Sequence, residues 1–337
     1  MLINYLLNYN YIVCLYYLTI TLLIYKFIQV VNIFLKYNKY LLFKKIATIE
    51  FLKKYYKKYN KTNRSYVLIT GCTSGIGKKY SELFAKLNLN LILVSRSLSK
   101  LNELKKELYL VNSNIDIIVI KFDFSLYNNI KTYENHLFNI ISHLDVTIII
   151  NNVGIYNGSF FKEVNYSLLS NEIKPYIDIN IISCLYISNF FINYVKKNIE
   201  KQSNNDNNNI NINKNNYLII NCSSISGVCP DPSNALYSAT KAFILDFSTK
   251  LNKEVNNINI NVISTTPSYV QTNMVPLPET GIRIINANQH CISVLYQITN
   301  NIKSTSGYIT HQIENLLLLY MPEHLKRMYF NYDIQNY

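Results

Sequence analysis

The chain has 337 residues, 49% of them apolar, and a formal net charge of +13. That is enough for one large α/β domain with extensions, and it excludes a chain too polar to build a core. The charge does not describe a nucleic-acid groove: residues 26–64 hold eleven basic side chains against one acid, Glu50, so +10 of the +13 sits there.

Leu2 to Tyr25 carries no charged side chain and is rich in Leu, Ile, Val and Tyr. A helix needs about 20 mostly apolar residues to cross a bilayer. With Asn4, Asn8 and Asn10 at its start, the span alternatively runs from Tyr11 to about Val31, Lys26 snorkelling. A retained anchor over residues 1–35 is therefore expected, followed by a basic juxtamembrane segment over 36–64. No basic region precedes the apolar run and no small-residue cleavage site closes it, which disfavours a signal peptide. The positive charge lies after the span and places the following domain in the cytosol. An organellar presequence is the competing reading.

From Tyr66 the texture changes to alternating strands and helices. Y-V-L-I-T reads as a strand, a glycine turn follows, and K-K-Y-S-E-L-F-A-K-L reads as an amphipathic helix. Strands follow at Leu89–Val94, Ile115–Phe122 and Val146–Asn151, separated by helices at Leu98–Leu110 and Leu126–Ser142. Pro175–Asn198 reads as a long, largely buried helix. Residues 203–216 are almost pure Asn, Ile and Lys and read as a low-complexity insertion. Tyr217–Asn221 and Ile258–Ser264 read as strands on either side of a helix at Asn234–Val255. Thr265–Asn288 shows no period, a helix is expected at Ile292–Thr299, and a last strand near Tyr308–His311. The expected fold class is α/β: a Rossmann-type doubly wound parallel sheet in a single domain over 65–312, then an apolar and basic tail over 313–337.

The motifs give this frame a chemistry. Thr70-Gly71-Cys72-Thr73-Ser74-Gly75-Ile76-Gly77 stands between a strand and a helix, where glycines let the backbone approach a pyrophosphate and the helix N-terminus faces it. An NAD site usually carries an acid at the end of the second strand. Here Ser95 and Arg96 stand there, a pair suited to the 2′-phosphate of NADP(H). Further on, Tyr237 and Lys241 are four residues apart, on one face of a helix, where the lysine charge is expected to lower the phenol pKa.

The six cysteines show neither C-x-x-C nor Cys/His ligand spacing, so no metal site or disulfide framework is expected and a reducing compartment fits. His136, His143, His290, His311 and His324 show no pairing that suggests a metal or triad, and are read as surface or half-buried residues.

From Tyr66 to Tyr308 the chain resembles the short-chain dehydrogenase/reductases. T-G-x-x-x-G-I-G, N-N-V-G at Asn151–Gly154, and Ser224 thirteen residues before Tyr237-x-x-x-Lys241 occur in that family's order. The resemblance implies that Tyr237 donates the proton, Ser224 binds the substrate carbonyl, Lys241 holds the nicotinamide ribose, and Asn180 holds a water in the proton relay. It also assigns Gly71, Ser74, Gly75, Ile76, Gly77, Arg96, Asp123, Asn151, Gly154, Pro267 and Thr272 to the cofactor. Where the family commonly has Pro-Gly, this chain has Pro267-Ser268, and N-N-V-G replaces its usual N-N-A-G.

The apolar start, G-I-G-K, L-N-L-I-L-V-S-R-S and the tail G-Y-I-T-H…L-L-L-L-Y-M-P narrow the likeness to a membrane-bound branch. That branch holds very-long-chain 3-oxoacyl-CoA reductases of the endoplasmic reticulum and similar 17β-hydroxysteroid dehydrogenases. The implied activity is NADPH-dependent reduction of a lipid-like ketone, an acyl-CoA in fatty-acid elongation. A steroid or retinoid substrate, and a non-catalytic NADP-binding scaffold or sensor, are the alternatives. The implied setting is the endoplasmic reticulum membrane, with a homodimer and elongation partners expected by analogy.

Overall fold

The protein is described by a computed structural model that covers the chain except residues 1–10, 12, 15, 30, 33–64, 128, 157–168, 206–216, 230–234, 281–282, 300–301, 323, 327 and 330–337. It divides into two units, Met1–Lys44 and Lys45–Tyr337. In the first, residues 16–29 and their described neighbours form a helix, α1, whose Tyr17, Leu23 and Phe27 stay exposed. The expected basic segment over 36–64 and residues 206–216 of the insertion expected at 203–216 lie outside the described residues, whereas residues 203–205 are helical.

The second unit is built on seven parallel strands. They are β1 (Tyr66–Thr70), β2 (Asn90–Ser95), β3 (Ile117–Lys121), β4 (Val146–Asn151), β5 (Tyr217–Cys222), β6 (Ile260–Thr265) and a two-residue β9 (Ser304–Thr305). Their order in the sheet is β3-β2-β1-β4-β5-β6-β9. Strands β1, β2, β4 and β5 are buried at every position, as a parallel sheet covered on both faces requires. The chain winds outward from β1 to β3 and then returns to β4 beside β1. That reversal opens a crevice at the carboxyl ends of β1 and β4, where such sheets bind their ligands.

Helices cover both faces: α2 (Gly75–Lys86), α3 (Leu98–Val111), α4 (Ile130–Tyr133) continuing into α5 (Asn139–Ile141), α6 (Leu169–Ile177), α7 (Ser183–Asn205), α8 (Ala235–Glu254), α9 (Ala287–Thr299) and α10 (Ile309–Tyr320). The expected helix at Leu126–Ser142 starts later because Asn129 caps it, its side chain accepting from Thr132 N at 3.0 Å. The expected long helix from Pro175 instead begins at Leu169 and passes through a π-turn at Asp178–Ile182 before α7. Ile173–Lys201 is long and apolar enough to cross a membrane, but 56% of its apolar window is buried in the protein, so it is a core helix.

The end of the chain departs most from expectation. The last strand is Ser304–Thr305, paired with Ser264 and Thr265 of β6, and not Tyr308–His311. Gly307, at φ +76°, turns the chain out of the sheet, and the leucine-rich run that follows forms α10, whose Leu318 packs against Ile225 and Cys229. The β-branched residues of Y-I-T-H imitate a strand, whereas the continuing apolar run favours a helix. This helix runs through the expected domain boundary at 312/313. The aperiodic stretch Thr265–Asn288 contains a small parallel pair, β7 (Val270–Gln271) and β8 (Ile285–Asn286).

Two histidines correct the expectation of surface or half-buried positions. His290 and His311 are both 0% exposed. His311 Nδ1 accepts from Ser268 N at 3.3 Å and its Nε2 lies 2.9 Å from the Arg283 carbonyl oxygen.

Candidate active site

One cavity, of about 510 Å³, opens at the crevice between β1 and β4 and continues beneath α10. The glycine turn after β1 forms one wall, and its shape is dictated by close approaches. Gly71 has φ +64°, and a Cβ on Gly77 would stand 2.5 Å from both Asn152 Nδ2 and the Gly71 carbonyl oxygen. Asn152 ties the turn to the end of β4, donating to the carbonyl oxygens of Thr70 at 3.0 Å and Gly71 at 3.1 Å. Thr70 Oγ1 accepts in return from the backbone N–H groups of Asn152 and Val153 at 3.0 Å each.

Gly71, Ser74, Gly75 and Ile76 line the cavity, with Ser74 at the N-cap of α2 making no side-chain cap bond. The helix therefore presents its first amides, an arrangement that favours an anion. Thr272 closes over this turn, since a Cβ on Gly75 would lie 2.8 Å from Thr272 Cγ2.

Arg96, Ser95, Ser97 and Lys100 line the cavity at the end of β2. Lys78 points elsewhere, pairing with Glu107 at 2.6 Å. Asp123 lines the same side, its Oδ1 accepting from Ser125 N at 2.9 Å and Ser125 Oγ at 2.6 Å.

Two residues assigned to the cofactor stand away from the cavity wall. Gly77 serves the packing of the turn. Asn151 is buried behind it, donating to Asn221 Oδ1 at 2.8 Å and Ser188 Oγ at 3.2 Å. The side chain of Asn151 points to the opposite face of β4 from Asn152, as alternation along a strand requires. Asn152 was not singled out, although it stands within the same N-N-V-G motif.

The chemical groups come from β5, the 3₁₀ turn at Ile225–Gly227 and α8. Ser224 caps that turn, its Oγ accepting from Ser226 N at 3.2 Å, and it shares the cavity wall with Tyr237. Ser223 donates to the Lys241 carbonyl oxygen at 2.6 Å and is structural. Lys241 Nζ donates to the Cys222 carbonyl oxygen at 2.9 Å and lies 5.6 Å from the Tyr237 ring centroid. Tyr156 stacks edge-on against Tyr237, ring centroids 5.1 Å apart.

The expected lowering of the Tyr237 pKa is not found. Burial pushes it up to about 12, against the opposing hydrogen bond from Ser224. Burial also lowers the Lys241 pKa, outweighing the opposing influence of the Cys222 and Cys184 thiols. Tyr237 is accordingly held protonated at neutral pH, the state of a proton donor.

Asn180 sits in the π-turn before α7. Its Oδ1 accepts from Ile155 N at 2.9 Å, and its Nδ2 donates to the Ile155 carbonyl oxygen at 3.2 Å. Gly154 leaves the space between Asn180 and Lys241 open: a Cβ there would stand 3.3 Å from Lys241 Nζ and 3.4 Å from Asn180 Oδ1.

The far end of the cavity is built by residues without a motif: Tyr269, Met274, Glu314, Leu318 and Tyr329, beside Pro267 and Ser268. No pattern in the sequence brings α10 to Ser224. The packing of Leu318 on Ile225 and Cys229 does so.

The cavity fits a nicotinamide dinucleotide: a glycine turn at a helix N-terminus, a cationic pair at the end of β2, and a tyrosine and lysine opposite. The family model for short chain dehydrogenases matches residues 65–280. The chain belongs to the short-chain dehydrogenase family, and it is an oxidoreductase using a nicotinamide cofactor.

Its sequence is 30% identical over 270 residues to a very-long-chain 3-oxoacyl-CoA reductase from Mus musculus, covering 79% of this chain and 77% of that one. A Caenorhabditis elegans protein provisionally named a steroid dehydrogenase is 30% identical over 267 residues, 78% of each chain. Among solved structures, a 7β-hydroxysteroid dehydrogenase shares the fold at a TM-score of 0.62 and 20% identity, covering 79% of this chain and 96% of that one. A short-chain dehydrogenase from Sphingobium yanoikuyae in complex with NADPH does so at 0.58 and 24%, covering 72% and 87%.

Proposed function

We propose that the protein reduces a ketone to a secondary alcohol with NADPH, and that the ketone is a 3-oxoacyl-CoA converted to its 3-hydroxyacyl-CoA in fatty-acid elongation. The observation that carries this reading is the meeting of Ser224, Tyr237 and Lys241 on the wall of a cavity that also presents Arg96 and Lys100. NADPH bound in the cavity supplies the hydride. Ser224 and Tyr237 donate to the carbonyl oxygen, and Tyr237 gives up its proton as the alkoxide develops. Lys241 returns a proton to Tyr237 and is resupplied from solvent through a water that Asn180 would hold in the space beside Gly154. Gly71, Ser74, Gly75 and Ile76 hold the pyrophosphate, Arg96 the 2′-phosphate, Asp123 the adenine side, and Gly154, Pro267 and Thr272 the nicotinamide side.

The acyl-CoA assignment draws on the similarity to the Mus musculus reductase and on the apolar far wall formed by Leu318, Met274 and Tyr329. A steroid ketone is the second reading, supported by the similarity to the C. elegans protein. Residues 1–35 would anchor the protein in the endoplasmic reticulum membrane with the domain in the cytosol. The exposed apolar side chains of α1 support the anchor, and protease protection in microsomes tests the orientation.

NADPH oxidation by detergent-solubilised protein, followed with 3-oxoacyl-CoA and 17-ketosteroid panels, tests the function. Turnover of the acyl-CoA panel is expected, and Tyr237→Phe should bind NADPH yet lose turnover by orders of magnitude. An enzyme inert toward every acyl-CoA would refute the assignment.

A further inference from the structure

The hydroxyl of Thr240 joins two parts of the site that no motif connects. Thr240 is 1% exposed on α8, between Tyr237 and Lys241. Its Oγ1 donates to the Tyr237 carbonyl oxygen at 2.8 Å and accepts from Asn180 Nδ2 at 3.1 Å. A hydroxyl has one proton to give. With that proton on the Tyr237 carbonyl, Thr240 can only accept from Asn180, so it selects the amide end of the Asn180 side chain.

Asn180 is 3% exposed, and each of its remaining bonds goes to Ile155. Ile155 begins the loop after Gly154 and leads toward residues outside the described set. Its backbone N–H and carbonyl oxygen both bond to Asn180, which is in turn bonded to Thr240 on α8. The path Ile155–Asn180–Thr240–Tyr237 therefore fixes where Asn180 Oδ1 stands relative to Lys241 Nζ, the two groups that flank the space Gly154 leaves open.

We propose that Thr240 is a positioning residue for proton return, locking Asn180 to the helix that carries Tyr237 and Lys241. A helical threonine bonded to a carbonyl three residues back is ordinary by itself. The second bond, received from a buried amide on another element, gives it this role. The proposal rests on the reading of Tyr237 as proton donor, so its test includes a measurement independent of turnover.

Thr240→Val keeps the shape and removes the hydroxyl; Thr240→Ser keeps the hydroxyl and removes the methyl. The first readout is amide hydrogen exchange at Ile155, measured without substrate. Its rate should rise about tenfold or more in Thr240→Val, because the acceptor Asn180 Oδ1 is loosened, and remain parental in Thr240→Ser. The second is the pH profile of kcat. In Thr240→Val, kcat should fall on the order of tenfold with a displaced profile and an unchanged KM for NADPH, and Thr240→Ser should restore both. In an Asn180→Ala background Thr240→Val should change kcat no further.

Parental Ile155 exchange in Thr240→Val would overturn the proposal. So would a Thr240→Ser variant as impaired as Thr240→Val, which would mark a packing role. If Thr240→Val does not fold, Thr240→Ala compared with Thr240→Ser carries the same contrast. An enzyme that reduces no ketone would sink the proposed function alone, since the exchange measurement still decides the role of Thr240.

Discussion

Gly227 lies so close to Lys241 that a methyl group on it would stand 2.6 Å from the Lys241 carbonyl carbon and 2.7 Å from Ala242 N. Both atoms are backbone, so neither can move aside without shifting α8. The contact seats the turn that carries Ser224 directly on the helix that carries Tyr237.

Gly227→Ala should therefore act on activity more than on stability. Overpacking of this kind costs about 1–3 kcal/mol, seen as a fall of a few degrees in Tm. A displacement of about 1 Å between Ser224 and Tyr237 would reduce kcat by on the order of 100-fold. Parental kcat in this variant would show that the turn and helix move together.

Cofactor choice should reside in Arg96. A charge-assisted hydrogen bond contributes about 1.5–3 kcal/mol, so Arg96→Asp should lower kcat/KM for NADPH by about 10- to 100-fold and raise the relative use of NADH. Lys100, which lines the same end, should retain part of the preference. Equal kcat/KM for the two cofactors in the parent would remove Arg96 from this role.

The buried histidines should make the fold acid-sensitive. Burial lowers His290 to about 3 and His311 to about 4, against about 6.5 in the unfolded chain. Above pH 6.5 both states are neutral and stability is complete. Below it the unfolded state binds the proton first, so stability falls until the folded pKa values are reached. At pH 5 each contributes a loss of about 2 kcal/mol relative to pH 7.5. Among the described residues His290 has no hydrogen-bond partner at either ring nitrogen, so His290→Leu removes its titration without breaking one of the described bonds. The urea midpoint should drop less between pH 7.5 and pH 5 in that variant; an unchanged drop would exclude His290 as a source.

Substrate binding should depend on the attachment of Tyr329. Arg283 is stacked between Tyr269 and Tyr329, 5.2 and 4.9 Å from their ring centroids, and its Nη2 donates to Tyr329 Oη at 2.9 Å. The Tyr329 hydroxyl in turn donates to Glu314. Tyr329→Phe breaks both bonds on the wall of the cavity that α10 completes. KM for the ketone should rise several-fold while KM for NADPH and kcat hold. A change confined to the NADPH KM would contradict the placement of this wall.

Much of the fold is legible in the sequence, because it rests on local rules. The alternation of β-branched runs with amphipathic helices marks β1 through β6, and glycines between a strand and a helix mark the turn at Gly71–Gly77. The spacings in Tyr237-x-x-x-Lys241 and N-N-V-G are properties of one element each, so short-range geometry suffices to read them.

Tertiary structure decided what depends on distant segments meeting. The helix at Ile309–Tyr320 reaches the site because Leu318 finds an apolar surface on Ile225 and Cys229, some ninety residues earlier. Asn152 and not Asn151 holds the glycine turn, since only alternation across β4 determines which side chain faces it. The Tyr237 pKa rises because burial depends on everything packed around it, whereas a spacing reports only the neighbouring charge. Sequence alone marked the first six strands, the glycine turn and the candidate residues for moving a proton. Their mutual distances, the far wall and the protonation states came from packing, which sums contacts that no local pattern encodes.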